Sequence, residues 1–150
     1  MDELPAQPGS YALILGLTEA RVLQVGQLGR FAFPAGIYIY LGSARGPGGI
    51  QSRLGRHLSG GGQPHWHIDY LREATEIRGY GHVQEAGTPL ECAWSQKLVA
   101  LPNTRIPVPG FGASDCHTGC PAHLIYFHEL QMDEVLVAVK SLHPSIRTSA

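Results

Sequence analysis

Apolar and polar positions alternate most clearly over residues 36–44. There Ile37, Ile39 and Leu41 interleave with Tyr38, Tyr40 and Gly42, the period of a half-buried strand. Residues 46–49 break that pattern with three glycines and a proline. Beyond them Ile50, Leu54 and Leu58 recur every four residues and share one face of a predicted helix, 50–58. Arg53, Arg56 and His57 fall beside or opposite that stripe. Tyrosines at a strand end thus face guanidiniums across one turn, an arrangement suited to holding a phosphate.

The remaining chain supplies elements around this unit. Residues 9–15 and 21–25 read as strands, and 26–34 as a loop with two aromatics. A glycine run at 60–62 stops the first helix. A second helix is expected within 64–72, led in by Pro64 and carrying Trp66, Tyr70 and Leu71 on one side. Residues 76–83 read as a strand. Residues 89–101 form the clearest helix, with Leu90, Ala93, Trp94, Leu98 and Leu101 on one stripe. The chain is then irregular to residue 119, with a closing strand at 123–127 and an amphipathic helix at 133–142. Short connections between the first strands favour antiparallel pairing. The fold class expected is α+β, a small, mainly antiparallel central sheet flanked by helices. One domain spans 9–143, between a loose tail at 1–8 and a fraying end at 144–150.

Composition narrows the function. The chain of 150 residues suits one compact domain. With 19 glycines and 11 prolines it is rich in turns. Its net charge of −1 excludes a nonspecific basic coat for nucleic acid, so any such contact must be local. No apolar run reaches membrane-spanning length, and the acidic, polar first residues are no signal peptide. A cytoplasmic location follows, with Cys92, Cys116 and Cys120 reduced or bound to a metal.

The motifs Gly9-Ser-Tyr11, Tyr40-Leu-Gly42-Ser-Ala44, Arg53-x-x-x-His57, His65-Trp-His-Ile-Asp-Tyr70, Glu91 and Gly110-Phe-Gly-Ala-Ser-Asp-Cys116 followed by His123-Leu run through nearly the whole chain. In this set the sequence resembles the GIY-YIG nuclease superfamily and, more closely, its DUF123-type branch of small prokaryotic proteins. The literal Gly36-Ile37-Tyr38 spells the first superfamily motif, but Tyr40-Leu41-Gly42 follows on the same strand, whereas the superfamily uses two adjacent strands. The better match places the first motif at Gly9-Ser10-Tyr11, with an extra strand and the 26–34 loop inserted before the second.

The resemblance implies hydrolysis of DNA phosphodiesters with one divalent ion, Mg²⁺ or Mn²⁺. It makes Glu91 the metal ligand, Arg53 the arginine that grips phosphate, and Tyr11 and Tyr40 the tyrosines that position or activate water. One carboxylate with water suits Mg²⁺, which keeps most of its hydration shell; alternatively Glu91 only favours its helix N-terminus. An arginine fork stabilises charge that grows on phosphate oxygens. His57 is either a base or shuttle near neutral pH or a hydrogen-bonded structural histidine. Arg45 and Arg56 are further phosphate contacts, and Gly42 permits close backbone approach. His65, His67 and Asp69 make an additional candidate group, in which Asp69 caps or orients a histidine. Ser114 and Asp115 either cap a turn or line the site. Cys116, Cys120 and His123 have the spacing of zinc ligands, though two cysteines in a tight loop can equally be plain thiols.

Three functions follow as expectations. The first is a metal-dependent endonuclease in DNA repair or processing, with DNA as substrate and a DNA glycosylase-type repair enzyme as a protein partner. The second is a nucleic-acid-binding accessory module with weak or no cleavage. The third is a zinc-stabilised interaction domain. The first requires Tyr11, Tyr40, Arg53, His57 and Glu91 to share one cleft.

Overall fold

A computed structural model of the chain describes residues 4–60, 64, 66–113, 120–128 and 131–149. The elements run β1 (Gly9–Leu17), β2 (Arg21–Val25), β3 (Gly29–Phe33), β4 (Gly36–Ala44), α1 (Gly49–Ser59), α2 (His67–Arg72), β5 (Glu76–Gln84), α3 (Glu91–Val99), β6 (Thr104–Arg105), β7 (Leu124–Phe127), α4 (Met132–Lys140) and β8 (Arg147–Thr148). Six strands form one antiparallel sheet in the order β6-β7-β4-β1-β5-β8, so the protein is α+β.

β1 and β4 are the inner strands, and both of their faces are covered. β4 is therefore buried on two sides rather than half-buried. Its alternation sorts side chains into two cores: Tyr38 and Tyr40 join Tyr11, Leu13, Ile50 and Leu54 on one face, while Ile39 and Leu41 join Ile14, Trp94 and Val139 on the other. The first face carries α1 and α2, the second α3 and α4. α1 buries Ile50, Leu54 and His57, because position 57 continues the i, i+4, i+7 stripe that Leu58 leaves.

Three expectations are corrected. The loop expected over 26–34 contains β3, which pairs with β2 as a separate two-stranded hairpin outside the main sheet. β1 therefore pairs directly with β4, Tyr11 opposite Gly42 and Gly9 opposite Ala44. The end expected to fray adds β8 to the edge of β5, and the Ser149 Oγ accepts from the Tyr80 amide at 2.9 Å. The tail is not loose near the domain: the Gln51 and Ile50 amides donate to the carbonyls of Pro5 and Gln7 at 2.8 and 3.0 Å. These are first-turn amides of α1, the donors a helix start leaves open for an anion. Backbone occupies them, so any phosphate must be held by side chains instead.

Among the described residues no helix is long and apolar enough to cross a membrane.

Candidate active site

Tyr11 is the deepest member of the site. It lies on β1 with no exposed surface, and its ring fills the space beside Gly42 on β4, where a Cβ would overlap the phenol. The close approach that Gly42 permits includes that of Tyr11, and Gly42 also lines the cleft. The literal Gly36-Ile37-Tyr38 lies elsewhere: Tyr38 donates to the Pro34 carbonyl at 2.5 Å and packs on Tyr126, ring centroids 4.9 Å apart.

The Tyr11 hydroxyl lies 2.8 Å from Nε2 of His57, and Arg53 is near enough to draw its pKa down. His57 and Tyr40 meet edge to face, centroids 5.9 Å apart. Burial pushes the His57 pKa down to about 4, only partly opposed by Asp69, whose Oδ1 lies 4.0 Å from His57 Nδ1. The ring is therefore neutral at neutral pH. Burial also raises Tyr11 well above the usual phenol range and Tyr40 to about 12, with Arg53 pulling both down and Glu91 pushing both up. Neither phenol is ionised at rest.

Arg53 is held by Trp66, at the start of the second helix the pattern predicts, a contact the pattern did not foresee. Its guanidinium lies over the Trp66 ring, 4.1 Å from the centroid, with Arg56 at 4.6 Å. The Trp66 amide donates to Asp69 Oδ2 at 2.8 Å, and Arg56 donates to Asp69 Oδ1 at 2.8 Å. Asp69 thus caps α2, one of the roles foreseen for it, and anchors Arg56 beneath the tryptophan.

Glu91 reaches the same place from the far side of the sheet. α3 packs Trp94 and Leu98 into the opposite core, yet its first residue opens onto the cleft that Tyr40, Arg53, Trp66 and His123 line. This cleft has a volume of about 190 Å³. Ser10 fixes the helix start: its Oγ accepts from the Leu90 amide at 3.0 Å and donates to Glu85 at 3.2 Å. Glu85 is in turn paired with Arg45 at 2.5 Å. Ser10, within the Gly9-Ser-Tyr11 motif, thus links β1 to Leu90, the residue before Glu91 at the start of α3, a role no sequence signal marked.

Glu91 Oε2 is buried and has no hydrogen-bond partner among the described residues. An orphaned carboxylate oxygen is costly unless a cation meets it. Among the described residues Glu91 is the one carboxylate of the cleft, which suits Mg²⁺ or Mn²⁺, ions that keep most of their water ligands. A cation there would also reverse the effect of Glu91 on the two tyrosines. The residues present fit such an ion.

The structure lines one cleft with Tyr40, Arg53 and Glu91, and packs the buried, hydrogen-bonded pair Tyr11 and His57 against Tyr40 behind it. Arg45 and Arg56, foreseen as phosphate contacts, are instead tied to Glu85 and Asp69. His67 does not line the cleft; its Nδ1 accepts from the Gly112 amide at 2.9 Å and so pins the 110–113 turn. His65, Ser114, Asp115 and Cys116 lie outside the described residues. Cys120 is not a free thiol: it is paired with Cys92 of α3 as a disulfide, beside His123. The reduced state expected for these two is corrected accordingly. Two larger hollows, of about 380 and 540 Å³, lie against α4 and beside the β2–β3 hairpin, and neither gathers a group of titratable side chains.

The family described as "Domain of unknown function DUF123" matches over residues 10–145. The chain belongs to the DUF123 family. The match spans every element that builds the cleft, from Tyr11 on β1 to His123 ahead of β7. No curated protein and no solved structure matches this DUF123 chain.

Proposed function

We propose that this DUF123 domain is a metal-dependent phosphodiesterase of the GIY-YIG type that cleaves DNA. The observation that carries this reading is the meeting of Arg53 and Glu91 in one cleft, although they sit on opposite faces of the sheet, with the Tyr11 hydroxyl against Arg53 and His57.

The chemistry proceeds through this chain's own groups. Arg53, fixed over Trp66, grips two phosphate oxygens and stabilises the charge that builds in the transition state. The Tyr11 hydroxyl accepts a proton from the attacking water while its own proton moves along the hydrogen bond to His57 Nε2. Asp69 stabilises the imidazolium as it forms. The water oxygen bonds to phosphorus, the ester oxygen leaves, and it takes a proton from solvent. Tyr40, next to Arg53 and Glu91, positions the water. Glu91 would hold the divalent ion, which supplies charge neutralisation at the phosphate and a more acidic water. At rest burial raises the Tyr11 pKa and lowers that of His57, so the proton stays on the phenol. The proton shift therefore waits for a positive field at the site.

The test is cleavage of supercoiled, branched and single-stranded DNA with Mg²⁺ or Mn²⁺, beside Arg53→Ala and Glu91→Ala. Loss of cleavage in both variants supports the reading. Equal cleavage in wild type and variants overturns it. Tight DNA binding by the wild type with no cleavage in any metal points instead to an accessory module. The repair partner and the cytoplasmic setting expected from the sequence belong to this same proposal.

A further inference from the structure

We propose that Cys92, Cys120 and His123 form a second cation site, for a thiophilic divalent ion such as Zn²⁺, open when the two cysteines are a dithiol and closed when they are a disulfide. One ligand atom from each of the three lies within 4.8 Å of the others, and all three residues are buried. His123 Nε2 is 3.0 Å from Cys120 Sγ. Two sulfurs and an imidazole nitrogen select zinc-like ions over Mg²⁺, which wants oxygen.

The ligands come from two segments locked by backbone bonds. Cys92 is the second residue of α3, and its Sγ accepts from Gln96 Nε2 at 3.8 Å. The Cys120–His123 segment is held by the Gly110 amide on the Pro121 carbonyl at 2.7 Å, the His123 amide on Phe111 at 2.8 Å, and the Leu41 amide on His123 at 2.9 Å. Ser95 Oγ donates to the Ala122 carbonyl at 2.6 Å, joining the segment to α3. The fourth position of a tetrahedral ion falls to water. The spacing Cys116, Cys120, His123 suggested a different set; the fold supplies Cys92 from α3.

Opening the site is a balanced exchange. A dithiol reductant gives two electrons to the Cys92–Cys120 bond, each sulfur takes up one proton, and the reductant becomes its own disulfide. Binding the ion then releases both thiol protons to solvent. The site adjoins the cleft, since His123 lines it and Cys92 follows Glu91 in α3, but its sulfur donors do not include Glu91, and cobalt binding is read without any cleavage.

Cobalt reads it directly. The full chain, reduced by a phosphine under anaerobic conditions and titrated with Co²⁺ alone, is expected to develop sulfur-to-cobalt charge-transfer bands and tetrahedral visible bands at one equivalent, both bleached by Zn²⁺. The oxidised chain is expected to show neither. Cys92→Ser and Cys120→Ser are each expected to weaken Co²⁺ binding by more than about 100-fold, beyond the loss of an outer-shell partner. If a variant does not fold, the comparison of reduced with oxidised wild type decides. Absence of the bands in the reduced wild type, equal bands in the oxidised chain, or loss in Cys116→Ser with Cys92→Ser unaffected would each overturn the proposal.

Discussion

Tyr11 and Gly42 face each other across β1 and β4, and the tyrosine ring occupies the space that any side chain at 42 would need. Tyr11 has no exposed surface, so its ring has no cheap direction in which to retreat. Gly42→Ala is expected to cost about 1–3 kcal/mol, the range for overpacking a core. Displacing the hydroxyl from His57 should also lower cleavage by roughly 10²-fold. Gly46→Ala is the control, since nothing lies within 4 Å of a Cβ there; it should stay within about 0.5 kcal/mol of wild type. Urea unfolding and single-turnover cleavage measure both.

Arg53 lies over the Trp66 ring and draws down the Tyr11 pKa, two roles that a lysine cannot reproduce together. Arg53→Lys should therefore keep the fold and still lose about 10²–10³ in kcat. Trp66→Leu keeps apolar bulk but removes the aromatic face from Arg53 and Arg56. It should cost about 1 kcal/mol of stability and a smaller part of kcat. Full activity in Arg53→Lys would remove the guanidinium from the mechanism.

Glu91→Gln tests the orphaned oxygen. Replacing a buried carboxylate that lacks a partner with a neutral isostere should leave the melting temperature of the metal-free protein unchanged or raised. The same change should abolish the stabilisation that Mn²⁺ gives the wild type. Calorimetric titration of Mn²⁺ into both proteins checks this, and equal binding would move the ion elsewhere.

His57 makes stability fall with acid. Its folded pKa, about 4, lies below the ordinary value of 6.5, so between these limits the unfolded chain binds a proton that the folded chain refuses. The stabilisation is complete above about pH 6.5 and is lost as pH falls toward 4, a total of about 3 kcal/mol. His67 and His123, also shifted down by burial, act in the same direction. Urea unfolding at about pH 7.5 and about pH 4.5 should show the loss, and His57→Gln should remove the larger part of it. An unchanged slope in that variant would place the titration on another group.

Local periodicity carried most of the elements, because alternation and four-residue spacing report burial directly. β4, α1, β5 and α3 lie close to where the pattern puts them. β3 was hidden because its alternation, Arg30 and Ala32 outward against Phe31 and Phe33 inward, lasts only five residues and puts an apolar alanine on the exposed face. β8 was hidden because two residues carry no period at all. Within the site, Tyr11, Tyr40, Arg53, His57 and Glu91 were visible only as motif letters. Their supports were not: Trp66 under Arg53, Ser10 at the α3 start and Cys92 beside Cys120 depend on which segments the sheet brings together. For the same reason Arg45 looked available until Glu85, forty positions away, met it.

The separations within the site fix when it can exist. Tyr11 waits 46 residues for His57, and Ser10 waits 80 for Leu90. His123, whose carbonyl holds the Leu41 amide, comes later still. A chain growing from the ribosome therefore carries both tyrosines and Arg53 long before it carries Glu91 or the segment that closes the cleft. No partial product of synthesis holds the whole set, so any activity of this site arrives only with the last third of the protein.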